Sequence, residues 1–239
     1  MMPVIRNPGR VAGVWYLLLV FIGPLRLIYI PTTLFVPHNP AVTVTNIAAH
    51  ESLFRFAMAA DLVGAVVLVC MGMAFYRLFE NVDRHLAVLV VIFGGVMPAL
   101  LYLVNSVSDA AALMIVRGAD FMSVFDKPQR NALAVMFLEL HDHQTTAAEI
   151  LWGVWLFPLG TLVYRSGFLP RFLGIWLIVN GVAYVLMSLT GILAPPYQDL
   201  VGKYGQPALM GELALVLWLL IKGAQPPWWS EPDARSSHA

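Results

Sequence analysis

From Pro128 to Arg165 the chain reads PQRNALAVMFLELHDHQTTAAEILWGVWLFPLGTLVYR. Glu139, His141, Asp142, His143 and Glu149 crowd its first part, and an apolar run long enough to cross a bilayer follows without punctuation. A spanning helix needs about 20 predominantly apolar residues, so this is a span with ionisable groups at its entry. Asp126, with Pro128 in the first turn and Gln129 three residues on, forms a capping-box pattern that starts the helix. The helical pattern then continues to Arg165, roughly 57 Å at about 1.5 Å per residue, which is more than a bilayer core. The dense polar run at Asp142 to Thr145 lowers helix propensity, and the expectation is a break there into an interfacial piece and a spanning piece.

Five further apolar runs share this character: Val11 to Ile30, Leu53 to Phe75, Leu86 to Val107, Phe172 to Leu193 and Pro207 to Ile221, with Thr146 to Tyr164 as the span of the opening stretch. Turn residues separate them at Pro31, Pro37, Asn81 to His85, Gly167 with Pro170, and Pro195 with Pro196. The 239-residue chain is 59% hydrophobic and 12% charged, about half the charge of a soluble domain. Lipid leaves helices and closed barrels as the only ways to satisfy the backbone, and these runs lack the alternation of barrel strands. The predicted fold is therefore all-α: a polytopic transmembrane bundle of six spanning helices, with short interfacial helices on the outer side. Asn39 followed by Pro40 reads as the start of one such short helix, running to Ala49.

Residues 1–224 read as one transmembrane domain and 225–239 as a polar, disordered cytoplasmic tail. Arg6 and Arg10 precede the first run as in a signal peptide, but no small-x-small cleavage site follows, so the segment is read as an uncleaved first helix. With the N-terminus inside, the inner segments hold Arg6, Arg10, Arg77, Arg84, Arg165, Arg171, Lys222 and Arg235, and the outer loops hold Arg117, Lys127, Arg130 and Lys203. The positive-inside rule then puts both termini in the cytoplasm of a cell whose inner membrane carries the protein. Lys plus Arg equals Asp plus Glu at 14 each, so nothing points to nucleic acid. The expected partners are the lipid bilayer and a small-molecule or lipid ligand. Cys70 stands alone and forms no internal disulfide; oligomeric state leaves no signal in the sequence.

Placing each polar residue by depth gives the functional expectation. Arg26, Arg55, Asp61, Asn105, Asp109, Glu149 and Glu212 all fall in the outer half of the predicted spans. Charge in the hydrocarbon region costs about 2.5 to 3.5 kcal/mol per residue on insertion scales, so such groups pair with one another or face a wet cavity. The expectation is one outward-facing pocket in which Arg26 and Arg55 neutralise some of Asp61, Glu149 and Glu212. It would bind a small polar or lipid-like molecule, with transport as an extension. Two other readings stand beside it: buried salt bridges that only fix helix register, and a metal-dependent hydrolase drawing ligands from His50, Glu139, His141 and His143. Catalytic zinc takes three protein ligands plus water, but H-x-H puts its two imidazoles on different helix faces unless the helix breaks. No HExxH, GxSxG, P-loop, dinucleotide fingerprint or CxxCH occurs, and no cofactor is implied.

Gly153 and Gly160, like Gly174 and Gly181, lie seven apart on one helical face, where small residues let helices approach closely. Pro24, Pro98 and Pro158 lie inside spans and imply kinks. The stretches RVAGVWYLL from Arg10, NIAAHESLFRFAMAADLV from Asn46, ALAVMFLELH ending at His141, and YRSGFLPRFLGIWLIVNGVAYV from Tyr164 resemble the bacterial membrane proteins grouped as domain of unknown function 4386, over nearly all of the chain from Arg10 to about Leu220. The resemblance implies a multi-pass membrane protein and carries no activity, substrate or cofactor.

Overall fold

The structure, a computed structural model, describes residues 7–230. Among these every regular element is helical, as the hydropathy demands. We label α1 Pro8–Leu34, α2 Pro40–Ala49, α3 Glu51–Phe79, α4 Arg84–Val116, α5 Lys127–Arg165, α6 Arg171–Leu193 and α7 Gln198–Ile221. Five of these are long and apolar enough to cross a membrane: α1, α3, α4, α5 and α6. A sixth span exists if Pro195–Gly205 and Pro207–Ile221, which meet at a 45° bend, count as one. Every apolar run read from the sequence lies inside one of these helices, and α4, α5 and α7 extend well past theirs.

Successive spans run antiparallel, so the bundle has two ends. At one, Asn7 and Gly9 meet the end of α7: Gly9 N–H donates to the Ala224 carbonyl at 3.1 Å, and Asn7 Oδ1 accepts from the N–H groups of Arg10 at 3.0 Å and Ala224 at 3.2 Å. The other end carries α2, and we call it the α2 end. Both sequence-predicted caps form. Asn39 Oδ1 accepts from Val42 N–H at 3.2 Å to start α2, and Asp126 and Gln129 close a reciprocal capping box at 2.8 and 3.0 Å. Residues 227–230 make a single 3-10 turn, while residues 231–239 of the expected tail lie outside the described residues.

Three departures from ideal helix sit where proline predicts them. Ile30 N–H bonds to the Leu25 carbonyl and Met97 N–H to the Ile92 carbonyl. These are i→i−5 bonds of π-helical turns, and each turn ends just before a proline, Pro31 or Pro98. A proline ring clashes with the carbonyl four residues back and cannot donate to it, and a widened turn relieves both problems. The third departure corrects the sequence reading. Helix α5 runs unbroken through Asp142 to Thr145 and is interrupted at Trp155, because Pro158 gives the Val154 carbonyl no donor. The polar run does not break the helix because its side chains bond back onto it: Thr145 Oγ1 donates to the His141 carbonyl at 3.0 Å, and His143 Nδ1 donates to that of Glu139 at 2.8 Å.

The expected small-residue seam joins α5 to α6. A Cβ on Gly153 would lie 2.6 Å from the Gly181 carbonyl oxygen, and one on Gly160 would lie 2.7 Å from that of Gly174. The two backbones touch at both levels, which no side chain permits. Gly153→Ala and Gly160→Ala should each lower the thermal unfolding midpoint of the purified protein in detergent, at a cost of about 1 to 3 kcal/mol. Gly23→Ala, where nothing lies within 4 Å of the added carbon, should leave it unchanged or higher; equal losses at all three positions would refute the close seam.

Candidate functional site

Two of the three apolar clusters among the described residues flank a polar layer. One core fills the half nearest the termini, with Tyr16, Phe75, Phe79, Trp155 and Leu156 among its members. The other lies toward the α2 end and includes Ile30, Ile47, Phe54, Leu113 and Leu138. Four helices contribute one ionisable side chain each to this layer: Arg26 from the π-turn of α1, Asp61 from α3, Asp109 from α4 and His141 from α5. The π-turn matters locally, because widening the helix by one residue per turn changes which face Arg26 occupies.

Arg26 is the hub. Its Nε–H donates to Asp61, 2.8 Å from both carboxylate oxygens, and its Nη2 donates to Asp109 Oδ2 at 2.7 Å. Asp109 Oδ1 in turn lies 3.0 Å from His141 Nδ1, and Nη2 is 3.2 Å from His141 Nε2. Relative exposures of 8% for Arg26, 3% for Asp61 and 2% for Asp109 put these charges out of reach of bulk screening. Pairing is therefore obligatory, since an unpaired charge at this depth costs several kcal/mol.

A cavity of about 420 Å³ opens above the cluster toward the α2 end, within the range of small-molecule sites. Arg26, Asp109 and His141 form its floor. Leu27 and Pro31 of α1, Phe35 to Asn39 of the connection, Pro40 and Thr43 of α2, and Val135, Leu138, Glu139, Asp142 and Thr145 of α5 form its walls. The connection is pinned: Val36 N–H donates to Thr43 Oγ1 at 2.9 Å, and Asn46 Nδ2 donates to the Leu34 carbonyl at 3.2 Å. His38 completes the turn with φ of 60°, in the left-handed region. A smaller space of about 20 Å³ lies below, sharing Arg26, Leu27, His141 and Thr145 with the cavity and reaching Asp61, Tyr102, Asn105 and Trp152.

The sequence-predicted residues divide into three groups. Arg26, Asp61, Asn105, Asp109, Glu139 and His141 come together at the cluster and its two cavities. Glu212 does not join them. Its carboxylate accepts from the Tyr16 hydroxyl and from Asn180 Nδ2, the latter at 3.2 Å. Tyr16 precedes Arg26 by ten residues on α1, about 15 Å nearer the terminal end. The expectation that all buried charges share the outer half fails here because α7 begins nine residues before the predicted span, at Gln198, which places Glu212 deeper than counting from Pro207 allowed. Glu149, eight residues past His141, lies between the two levels with its Oε2 buried and unpartnered.

Arg55 is not a pocket counter-ion either. It is half-exposed and pairs with Glu51 one turn back at 2.6 Å, as an i,i+4 pair on a helix start does. The four metal candidates do not converge: His50 Nδ1 faces the carbonyl of Asn46 and His143 Nδ1 that of Glu139, and both rings are exposed. The set whose ligand atoms do lie within 4.8 Å of one another is Asp61, Asp109 and His141. Arg26 already occupies the cation position between those carboxylates. Sequence reasoning missed Tyr16 as the partner of Glu212 and the segment Phe35 to Thr43 as a cavity wall. A tyrosine hydroxyl inside an apolar run is the one signal that could have marked the former.

Fold and site together define a helical bundle with the apolar helices of a multi-pass membrane protein and a buried ionic cluster beneath a cavity. The chain belongs to the family described as domain of unknown function (DUF4386), whose model matches residues 11–223. Over 74 residues, 31% of this chain, it is 35% identical to an uncharacterized protein of Archaeoglobus fulgidus. That match covers 43% of the relative's length. No solved structure matches the chain.

Proposed function

We propose that the protein binds a small polar or lipid-like molecule in the cavity above Arg26, Asp109 and His141. The observation that carries this reading is the coincidence of a 420 Å³ cavity with the buried ionic cluster at its floor: apolar walls with a few convergent polar groups are the general form of a ligand site. A purely structural ion cluster needs no cavity above it. The hydrolase reading is weaker, because Arg26 stands between the carboxylates that a metal ion would take. A neutral amphiphile, hexyl glucoside, should raise the unfolding midpoint of the purified protein saturably. Val135→Trp, which fills the cavity from α5, should abolish that rise, and a rise that persists in Val135→Trp would contradict the reading.

We further propose that the protein lies in a cell membrane with both termini cytoplasmic and the cavity opening outward. Support comes from the basic residues gathered at the terminal end, Arg10, Arg77, Arg84, Arg165, Arg171 and Lys222, by the positive-inside rule. A cysteine introduced at Ser123, in the short helix Asp120–Val124 at the α2 end, should react with a membrane-impermeant maleimide on intact cells. Labelling only after the cells are opened would reverse the orientation.

A further inference from the structure

The charge around the cavity is unbalanced. Arg26 is the one Lys or Arg lining it, and its guanidinium is already divided between Asp61 and Asp109. Leaving the imidazole aside, one guanidinium stands against two carboxylates. Glu139 and Asp142 stand three residues apart on the α5 face that lines the cavity, and neither forms an ion pair with any described residue. The other lysines and arginines at this end do not line the cavity. Arg55 and Arg117 turn to Glu51, while Lys127 and Arg130 border a separate cavity with Val44 and Ile115.

Beneath the floor the same imbalance appears in hydrogen bonding. Asn105, 8% exposed, points its Nδ2 at Thr145 Oγ1, 3.5 Å away. The Thr145 hydroxyl proton goes to the His141 carbonyl, so toward Asn105 this oxygen can only accept. That fixes the amide orientation and leaves Asn105 Oδ1 buried with no donor, beside the smaller space that shares Arg26, His141 and Thr145 with the cavity. Asn105 Oδ1 is thus an acceptor without a donor, and Glu139 and Asp142 are anions without an ion pair among the described residues; what complements these three is a donor bearing positive charge.

We infer that the molecule taken by the cavity is an organic cation, an ammonium group carrying an apolar portion. This rests on the cavity being a ligand site, as proposed above. The ammonium lies between Glu139, Asp142 and the floor, and the apolar portion packs on Leu27, Pro31, Phe35 and Leu138. Each carboxylate about 5 Å from the ammonium, screened as in water, strengthens binding about fourfold, so the two together strengthen it by more than tenfold. An anionic amphiphile loses by the same factor. The preference falls as salt is raised, because Glu139 and Asp142 are exposed.

The test compares hexyltrimethylammonium, hexyl glucoside and hexyl sulfate in equilibrium binding to the purified full chain in maltoside micelles at fixed ionic strength. The expected order is ammonium tightest by tenfold or more, then glucoside, then sulfate. The double variant Glu139→Gln with Asp142→Asn, both at exposed positions, should bring the ammonium to within about threefold of the glucoside. If the glucoside binds, Val135→Trp removes it and the ammonium is no tighter, the cation assignment falls and the cavity reading stands. If no probe binds in a way that Val135→Trp removes, both fall. An ammonium preference unchanged in the double variant would also overturn the assignment.

Discussion

Arg26 is buried, and its charge can be accommodated in one way only. The guanidinium needs two carboxylates within hydrogen-bond reach, and those carboxylates come from two other helices, Asp61 on α3 and Asp109 on α4. Satisfying one buried cation therefore fixes the mutual rotation and height of three spans, and His141 brings in a fourth through Asp109. Hydrophobic matching between spans is indifferent to register, because lipid is as apolar as leucine. A buried charge network is not indifferent, since a one-residue slip leaves an ion unpaired at a cost of several kcal/mol.

The rest of the architecture follows from placing that network between two apolar cores. Below it, the core around Phe75, Phe79 and Trp155 is packed tightly, and the glycine seam brings α5 and α6 into backbone contact. Above it, helix α2 and the pinned connection Phe35 to Asn39 stand off from α5 far enough to leave a cavity. The second polar pair, Glu212 with Tyr16, sits in the tight half, and its carboxylate accepts from Tyr16 and Asn180. One charged level meets a space and the other is absorbed by neighbours. That contrast, rather than the number of buried charges, distinguishes the candidate site from helix-register pairing.

Much of the fold was legible in the sequence because its causes are local. Apolar length marks the spans, Asn39 and Asp126 mark helix starts through their own side chains, and glycine spacing marks the α5–α6 seam. The break in α5 falls near Pro158 rather than at the polar run, because polar side chains can bond to their own helix and proline cannot. The site was partly legible. Arg26, Asp61, Asp109 and His141 stand out as charges in apolar runs, but their pairing depends on helix rotation, which a π-turn at Leu25–Tyr29 alters without any local signal beyond Pro31. Glu212 lies deeper than its apolar run implies because α7 begins nine residues earlier, and Arg55 turns to Glu51 on its own helix, a choice of partner that depth alone does not reveal. The cavity wall at Phe35 to Thr43 depends on how a connection folds back on α5, a long-range contact with no periodic signature.

The central claim is that Arg26 is held by Asp61 and Asp109 and that this pairing fixes the bundle. A double-mutant cycle on thermal or denaturant unfolding tests it most directly, with Arg26→Met and Asp109→Asn made singly and together. The account predicts that Arg26→Met alone destabilises by about 3 to 5 kcal/mol, that the double variant recovers part of the loss, and that the coupling energy exceeds about 1 kcal/mol. Additive losses, with coupling near zero, would contradict it.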